Sequence, residues 1–158
     1  MDIENLLRLL KERDAQFVII GATAFPVHGY ARATIDIDLF IKNTTENAAK
    51  IHAALQDFGY DISDLSLDDI VSKKVLIRQY LAETDLHPFV AGVHFDEVWR
   101  NKIEDQLGDT TVYFASLHDL IRMKKAAGRP KDIDDLRALE KIEEKRRREH
   151  KPLDENNV

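Results

Sequence analysis

Apolar and polar positions alternate along this chain with two periods, one close to 3.6 residues and one of two residues. The longer period is typical of an amphipathic helix, and the shorter period is typical of a half-buried strand. With the turn and capping signals, the pattern predicts helices over residues 3–13, 22–28, 44–58, 95 to near 108, 116–127 and 130–148, and strands over residues 17–20, 34–41, 75–77, 84–90 and 110–114. Helices and strands interleave without a repeat or a linker, which indicates one α+β domain with a small mixed sheet flanked by helices.

The end of the chain differs in composition from the rest. Residues 146–158 are rich in charged and polar side chains and contain few apolar ones. Such a segment cannot bury enough apolar surface to offset the loss of conformational entropy on folding. We therefore expect a single folded domain over residues 1–145 and a disordered tail over residues 146–158.

Composition narrows the cellular setting. The chain of 158 residues contains no cysteine, which excludes disulfides and thiolate metal sites. Its first residues lack the layout of a secretory signal, and no apolar run reaches the length of a membrane span. We expect a cytoplasmic protein, and the net charge of -6 argues against coating of a nucleic-acid backbone by the whole surface.

Two aspartates, Asp36 and Asp38, interrupt an otherwise apolar strand over residues 34–41. Side chains two positions apart leave a strand by the same face, so Ile37 and Leu39 share one face and the aspartates share the other. The two carboxylates are then about 7 Å apart along the strand. Because like charges held that close repel each other, we expect a cation between them. The pair predicts a divalent-metal site.

Upstream of the aspartates, Gly21, Ala22 and Thr23 form a turn of small residues between a strand and a short helix capped by Thr23. A glycine lets the backbone approach a ligand, and the first N–H groups of a helix suit a phosphate. Alone, the turn is better interpreted as a plain strand-to-helix connection. Together with the aspartate pair, it becomes a candidate site for a triphosphate.

These features occur in an order that resembles the nucleotidyltransferases of the DNA polymerase beta-like superfamily. The resemblance is carried by Gly21-x-x-Ala24, His28-Gly29, Arg32-x-Thr34 and Asp36-x-Asp38. Within the superfamily, the chain is most similar to the abortive-infection toxin branch and its small uncharacterised relatives. Ala22 departs from the family pattern, because many members carry a serine there whose hydroxyl would contact phosphate.

The resemblance implies a third acidic residue on a later strand, and Asp85 in the strand over residues 84–90 is the best candidate. Asp85 would face the same side as His87. The other acidic residues between the two strands have turn-like or helical surroundings, where carboxylates usually cap helices or face solvent: Asp61, Asp64, Asp68 and Asp69. The histidines show no metal-binding spacing, so His87 is interpreted as a packing or surface residue.

A second cluster, in residues 120–136, resembles the family's C-terminal motif of a lysine, an arginine and paired aspartates. Lys124 and Asp132 both lie on core-facing stripes of their helices. One interpretation is an internal salt bridge between these two residues. The other is that Lys124 and Arg129 contact substrate phosphate while Asp132 and Asp135 orient the basic residues.

Arg32 lies four residues before Asp36 and allows two interpretations of its own. Its guanidinium either binds phosphate or neutralises the aspartate pair. The sequence does not favour one interpretation over the other.

The resemblance implies a metal-dependent nucleotidyltransferase. Asp36, Asp38 and Asp85 would hold two Mg²⁺ ions beside a nucleoside triphosphate seated on the turn at Gly21. A hydroxyl of RNA or protein would accept the nucleoside monophosphate, and pyrophosphate would leave. One alternative is a catalytically silent binding partner with the same fold, such as a toxin–antitoxin component. Another is a two-metal hydrolase that uses the same carboxylates.

Overall fold

The structure is a computed structural model and describes residues 3–79 and 82–150. The helices are α1 (Ile3–Glu12), α2 (Thr45–Phe58), α3 (Leu67–Ser72), α4 (Phe95–Asn101), α5 (Leu117–Ala127) and α6 (Ile133–Glu149). The strands are β1 (Phe17–Ile20), β2 (Asp36–Ile41), β3 (Val75–Gln79), β4 (Ala82–His87), β5 (Ile103–Leu107) and β6 (Thr110–Phe114). Three 3₁₀ turns cover Gly21–Ala24, Pro26–His28 and Pro130–Asp132. Within the two described ranges, no helix is long and apolar enough to cross a membrane.

The strands form one mixed sheet in the order β3-β4-β2-β1-β6-β5. β2 runs antiparallel to β1 and parallel to β4. β1 is parallel to β6, while β3 and β5 are the antiparallel edge strands. The predicted α+β fold, a mixed sheet flanked by helices, is confirmed. The parallel pairing of β2 with β4 places residues that are distant in the sequence directly opposite one another in the sheet.

Strand β2 has one buried and one accessible face, as its alternation predicts. Ile37 and Leu39 are buried, whereas Asp36 and Asp38 are partly exposed on the opposite face. Phe40 lies on the aspartate face but is buried, and the ring of Phe95 packs edge-on against it at 5.4 Å between centroids. Helix α4 therefore covers this face at its Phe40 end and leaves the aspartates accessible.

Capping residues set the helix boundaries around the sheet. The side chain of Thr44 accepts a hydrogen bond from the Asn47 N–H at the start of α2. The side chain of Ser116 does the same for the Asp119 N–H at the start of α5. Gly59 ends α2 in the left-handed conformation with φ +107. These caps match the predicted starts and stop, because capping chemistry is local to the sequence.

The prediction of one helix from residue 95 to near Gly108 is wrong. Helix α4 ends at Asn101, and β5 pairs with β6 in a hairpin that turns at Gly108, where φ is +62. The middle residues of β5 are exposed. An exposed edge strand has no apolar alternation by which the sequence could reveal it, and Ile103 alone fits the helical spacing equally well.

Helix α6 continues to Glu149, so the predicted start of a tail at residue 146 is too early. Arg146 lies within the helix, and its guanidinium approaches His28 Nδ1 at 3.4 Å. This contact adds a tertiary neighbour that the charge pattern does not reveal. Residues 151–158 lie outside the described part of the chain, and their disorder stays a prediction.

Candidate functional site

The pairing of β2 with β4 places four carboxylates on one face of the sheet, those of Asp36, Asp38, Glu83 and Asp85. Asp38 stands directly opposite Asp85 in the register, and Asp36 stands opposite Glu83. The side chain of Asp85 is only 4% exposed, compared with 31% for Asp36 and 24% for Asp38. The structure therefore places Asp85 beside the aspartate pair, as the sequence analysis expects of the third carboxylate.

Two rivals of Asp85 have local structural tasks. Asp69 and Ser66 form a capping box at the start of α3. The backbone N–H and hydroxyl of Ser63 both donate to Asp61. Hydrogen bonds from Ser63 lower the pKa of Asp61, and hydrogen bonds from Ser66 lower the pKa of Asp69. Asp69 thus stabilises the start of α3, and Asp61 stabilises the turn at Ser63.

His87 lies beside the carboxylates of Asp36, Asp38 and Asp85, which we call the carboxylate row. The sequence alone indicates a packing or surface residue at this position. Its Nε2 lies 2.8 Å from Asp38 Oδ1. One ligand atom from each of Asp38, Asp85 and His87 lies within 4.8 Å of the other two. The available signal is the alternation along β4, which puts His87 on the face of Asp85.

The donor set fits a divalent cation. Carboxylate oxygens from Asp36, Asp38 and Asp85 are the ligands that Mg²⁺ prefers, and an imidazole extends the choice to Mn²⁺ or Zn²⁺. Ligating carboxylates are usually held by hydrogen bonds from neighbouring side chains. His87 can serve this purpose for Asp38.

Arg78 of β3 places a guanidinium among the carboxylates. Its Nη1 donates to Asp85 Oδ1 at 2.5 Å, its Nη2 lies 4.0 Å from Asp36 Oδ2, and its Nε lies 3.6 Å from Glu83 Oε2. The hydrogen bond to Asp85 is the main cause that raises the pKa of Arg78. The row thus contains a permanent positive charge. Arg78 is not identifiable from the sequence, because its place depends on which strand pairs with β4.

The turn after β1 closes against Asp38. Gly21 has φ +69, and a Cβ placed there would lie 2.5 Å from Asp38 Oδ2. Thr23 does not cap a helix, so that prediction is wrong. Its hydroxyl instead donates to the Asp36 carbonyl at 3.3 Å and ties the turn to β2. Only glycine fits both the backbone conformation and the space at position 21.

The predicted salt bridge between Lys124 and Asp132 is present. Lys124 Nζ lies 3.0 Å from Asp132 Oδ1 and 3.5 Å from Asp135 Oδ2. Arg129 Nε donates to Asp132 Oδ2 at 2.7 Å. Burial disfavours the ionised form of Asp132, but the hydrogen bonds from Arg129 and Lys124 outweigh it and lower the pKa of the carboxyl. Phosphate contacts of Lys124 and Arg129 stay a prediction.

Arg32 pairs with an aspartate outside the pair on β2, and its binding of phosphate stays a prediction. Its Nε lies 2.9 Å from Asp135 Oδ1, so it does not neutralise the pair on β2, where Arg78 takes that place. The Tyr30 hydroxyl also donates to Asp135 Oδ1 at 2.9 Å, and this bond raises the pKa of the tyrosine. Asp135 therefore contacts both Arg32 and Tyr30, and its supporting role in the site stays a prediction.

The carboxylates, the turn and the basic cluster line one open cleft of about 750 Å³. The predicted site residues that line it are Gly21, Ala22, Arg32, Asp36, Asp38, Asp85, Lys124, Arg129, Asp132 and Asp135. Thr23 does not contribute to the lining. A cleft with carboxylates on one wall and lysine and arginine near them can accommodate both cations and phosphate groups.

Comparison with known proteins identifies the family of the chain. A family model described as "Nucleotidyltransferase of unknown function (DUF6036)" matches residues 1–144. No curated protein matches the chain. The matched range includes every strand of the sheet and all the cleft residues named above. The chain belongs to this family of nucleotidyltransferases of unknown function.

Proposed function

We propose that the protein is a metal-dependent enzyme that transfers a nucleoside monophosphate from a nucleoside triphosphate to a hydroxyl group. The observation that carries this proposal is the row of Asp36, Asp38 and Asp85 on the wall of a cleft that Lys124 and Arg129 also line. Membership of a nucleotidyltransferase family supports the reaction class. Carboxylates that hold metal ions and basic side chains that contact phosphates recur in enzymes that catalyse phosphoryl transfer.

Asp36, Asp38 and Asp85 would hold two Mg²⁺ ions. Bound magnesium would offset the charge of the phosphates and lower the pKa of the acceptor hydroxyl. His87 would orient Asp38 through its hydrogen bond, and Gly21 would let the triphosphate approach the backbone beside Asp38. The protein thereby supplies position and electrostatics to a reaction that needs little covalent participation from side chains.

The transfer itself is an in-line displacement at the α-phosphorus. The acceptor oxygen forms a bond to this phosphorus while the bond between the α-phosphorus and the oxygen bridging to the β-phosphorus breaks. Pyrophosphate leaves, and the proton of the hydroxyl passes to solvent. Lys124 and Arg129 would stabilise the negative charge that collects on the leaving group once phosphate replaces Asp132 as their partner.

The acceptor would be the end of an RNA or a hydroxyl side chain of a protein. This proposal follows the resemblance to the abortive-infection toxin branch, as does a place in a toxin–antitoxin pair. A cysteine-free chain that uses nucleoside triphosphate and Mg²⁺ would find both in the cytoplasm.

Calorimetry with Mg²⁺ and each nucleoside triphosphate tests the site. We expect binding to the wild type and loss of binding in the double variant Asp36→Asn/Asp38→Asn, with the fold retained by circular dichroism. Asp105→Asn is a suitable control, because Asp105 is an exposed carboxylate in the middle of β5 and lies outside the cleft. Equal binding by the wild type and the double variant would contradict the proposed metal site.

Incubation of the protein with α-labelled nucleotide and a cell extract tests the reaction. Label on RNA or on a protein would identify the acceptor and support transfer. If label appears only as free monophosphate, the protein is a hydrolase that uses the same carboxylates.

A binding partner without activity is the second candidate function. Asp85 and Asp38 already have Arg78 and His87 as partners, and Ala22 offers no hydroxyl to a phosphate. A site whose charges balance one another can persist as part of a fold without turnover. Absence of nucleotide binding by the wild type in the calorimetry would favour this candidate.

A further inference from the structure

One wall of the cleft is apolar. It consists of Phe89, Val90 and Ala91 from the segment after β4, and of Leu120, Met123 and Ala127 from α5. On α5, these three residues and Lys124 recur at i, i+3, i+4 and i+7, so one face of the helix turns toward the cleft. Of the six apolar side chains, only Met123 carries a hydrogen-bonding atom, a thioether sulfur that accepts weakly.

Phe89 is the exposed member of this wall. The residue is 64% exposed, whereas Leu120 is 2% and Met123 is 8% exposed. An isolated exposed phenylalanine on a convex surface needs no explanation. Phe89 instead lines the open cleft that also contains the carboxylate row, and such clefts are where ligands bind.

The segment that carries Phe89 is fixed to α5. Val90 and Val93 form an isolated β-bridge, and Arg122 Nη2 donates to the Gly92 carbonyl at 2.9 Å. A Cβ at Gly92, where φ is +86, would lie 2.6 Å from Ala126 Cβ. The turn therefore packs directly on the helix, and the ring of Phe89 is presented by a rigid support.

The apolar wall continues from the carboxylate row. Phe89 follows His87 by two residues, a distance of about 7 Å along an extended chain. The cleft thus joins a charged part, which suits phosphates and metal ions, to a flat apolar part. A ligand that fits both parts has an anionic end and a planar, weakly polar end.

We propose that Phe89 is the platform on which the nucleobase of the triphosphate stacks. This inference rests on the proposed function, because it names how the same site holds its substrate. Every base has a π-face, and the apolar wall offers no side-chain hydrogen-bond donor and only the weak acceptor of Met123 to select one. We therefore expect all four nucleoside triphosphates to bind, with purines ahead of pyrimidines because they present more stacking surface.

Calorimetry with Mg²⁺ and either ATP or inorganic triphosphate tests the inference. We expect Phe89→Ala to weaken ATP binding about tenfold, since stacking of a base on an aromatic ring is commonly of that strength. Binding of inorganic triphosphate should not change, because this probe has no base. Phe89→Trp should restore ATP affinity, and its added indole emission should be quenched by ATP but not by inorganic triphosphate.

The control variant is Leu107→Ala, which removes a partly exposed apolar side chain of the edge strand β5, outside the cleft, and should bind both probes as the wild type does. If Phe89→Ala binds ATP with unchanged affinity, the stacking role is wrong while the nucleotide site stands. If the wild type binds ATP no better than inorganic triphosphate, the wall does not hold a base. If the wild type binds neither probe, the proposed function and this inference are both overturned.

Discussion

Gly21 and Gly29 flank the 3₁₀ segment beside the site, and both adopt a left-handed conformation, with φ +69 and φ +97. Their surroundings differ. A Cβ at Gly21 would collide with the carboxylate of Asp38, whereas a Cβ at Gly29 would have no atom within 4 Å. An alanine at position 29 therefore introduces backbone strain alone, whereas an alanine at position 21 introduces backbone strain and also displaces Asp38.

Gly21→Ala should destabilise the protein and abolish binding of Mg²⁺ with nucleoside triphosphate, because the new methyl group displaces Asp38. Gly29→Ala should cost only the backbone strain, about 1–2 kcal/mol, and leave binding intact. Urea denaturation and calorimetry measure the two effects. Wild-type binding by a folded Gly21→Ala protein would show that the position of Asp38 does not matter for the site.

Among single residues, the sequence identifies those whose place follows from local periodicity. Asp36 and Asp38 belong to this group, since alternation along one strand suffices to put them on the same face. Gly21 is marked by its turn signal, but its position beside Asp38 depends on the pairing of β1 with β2. Asp85 needs the family resemblance as well. Arg78 escapes the sequence analysis because its contacts arise from the pairing of β3 with β4, which no local pattern specifies.

Helices α5 and α6 meet through charges at the mouth of the cleft. Lys124 near the end of α5 pairs with Asp132, in the 3₁₀ turn before α6, and with Asp135. Arg129 in the connection also pairs with Asp132, which is buried. Arg32 also pairs with Asp135, so three cations contact these two aspartates.

Asp132 should give the unfolding free energy a dependence on pH. Its pKa is lowered in the folded protein, so its contribution is present above the unfolded value of 3.8 and is lost as the pH falls through the lower folded value. Asp132→Asn should therefore be less stable than the wild type at neutral pH and lose less stability below about pH 4. Urea denaturation at several pH values measures this, and parallel profiles for both proteins would contradict it.

At the level of helices and strands, capping chemistry and apolar alternation predict most of the boundaries, including those of α2 and α5. Strand β5 is missed because its exposed residues have no buried partner that would impose alternation. The start of the disordered tail is placed too early, at residue 146, because a run of charges gives no sign of the contact between Arg146 and His28. Both errors concern parts of the chain whose structure depends on distant neighbours.

His28 connects parts of the molecule that are far apart in the sequence. Its Nε2 lies 2.8 Å from the Ala115 carbonyl after β6, and Arg146 of α6 approaches its Nδ1. The ring is buried, and burial is the main cause that lowers the pKa of His28. The imidazole of His28 in the second 3₁₀ turn thus contacts both the segment after β6 and helix α6.

Stability of the whole protein should fall on mild acidification. Because the folded state lowers the pKa of His28, its contribution is present above the unfolded value of 6.5 and is lost as the pH falls through the lower folded value. His28→Gln should flatten the profile of melting temperature below about pH 6.5 while lowering the melting temperature at pH 8. An unchanged acid-side slope in the variant would assign the dependence to other groups.

Arg78 also affects how a metal ion would enter the carboxylate row. An incoming Mg²⁺ would find the guanidinium of Arg78 already bonded to Asp85, so the ion would have to displace this cation from the carboxylates. Free Mg²⁺ would gain little from that exchange. A Mg²⁺ ion bound to a triphosphate would bring phosphate oxygens to which the displaced guanidinium could donate. Loading of ion and nucleotide should therefore be mutually dependent, and each should bind poorly without the other.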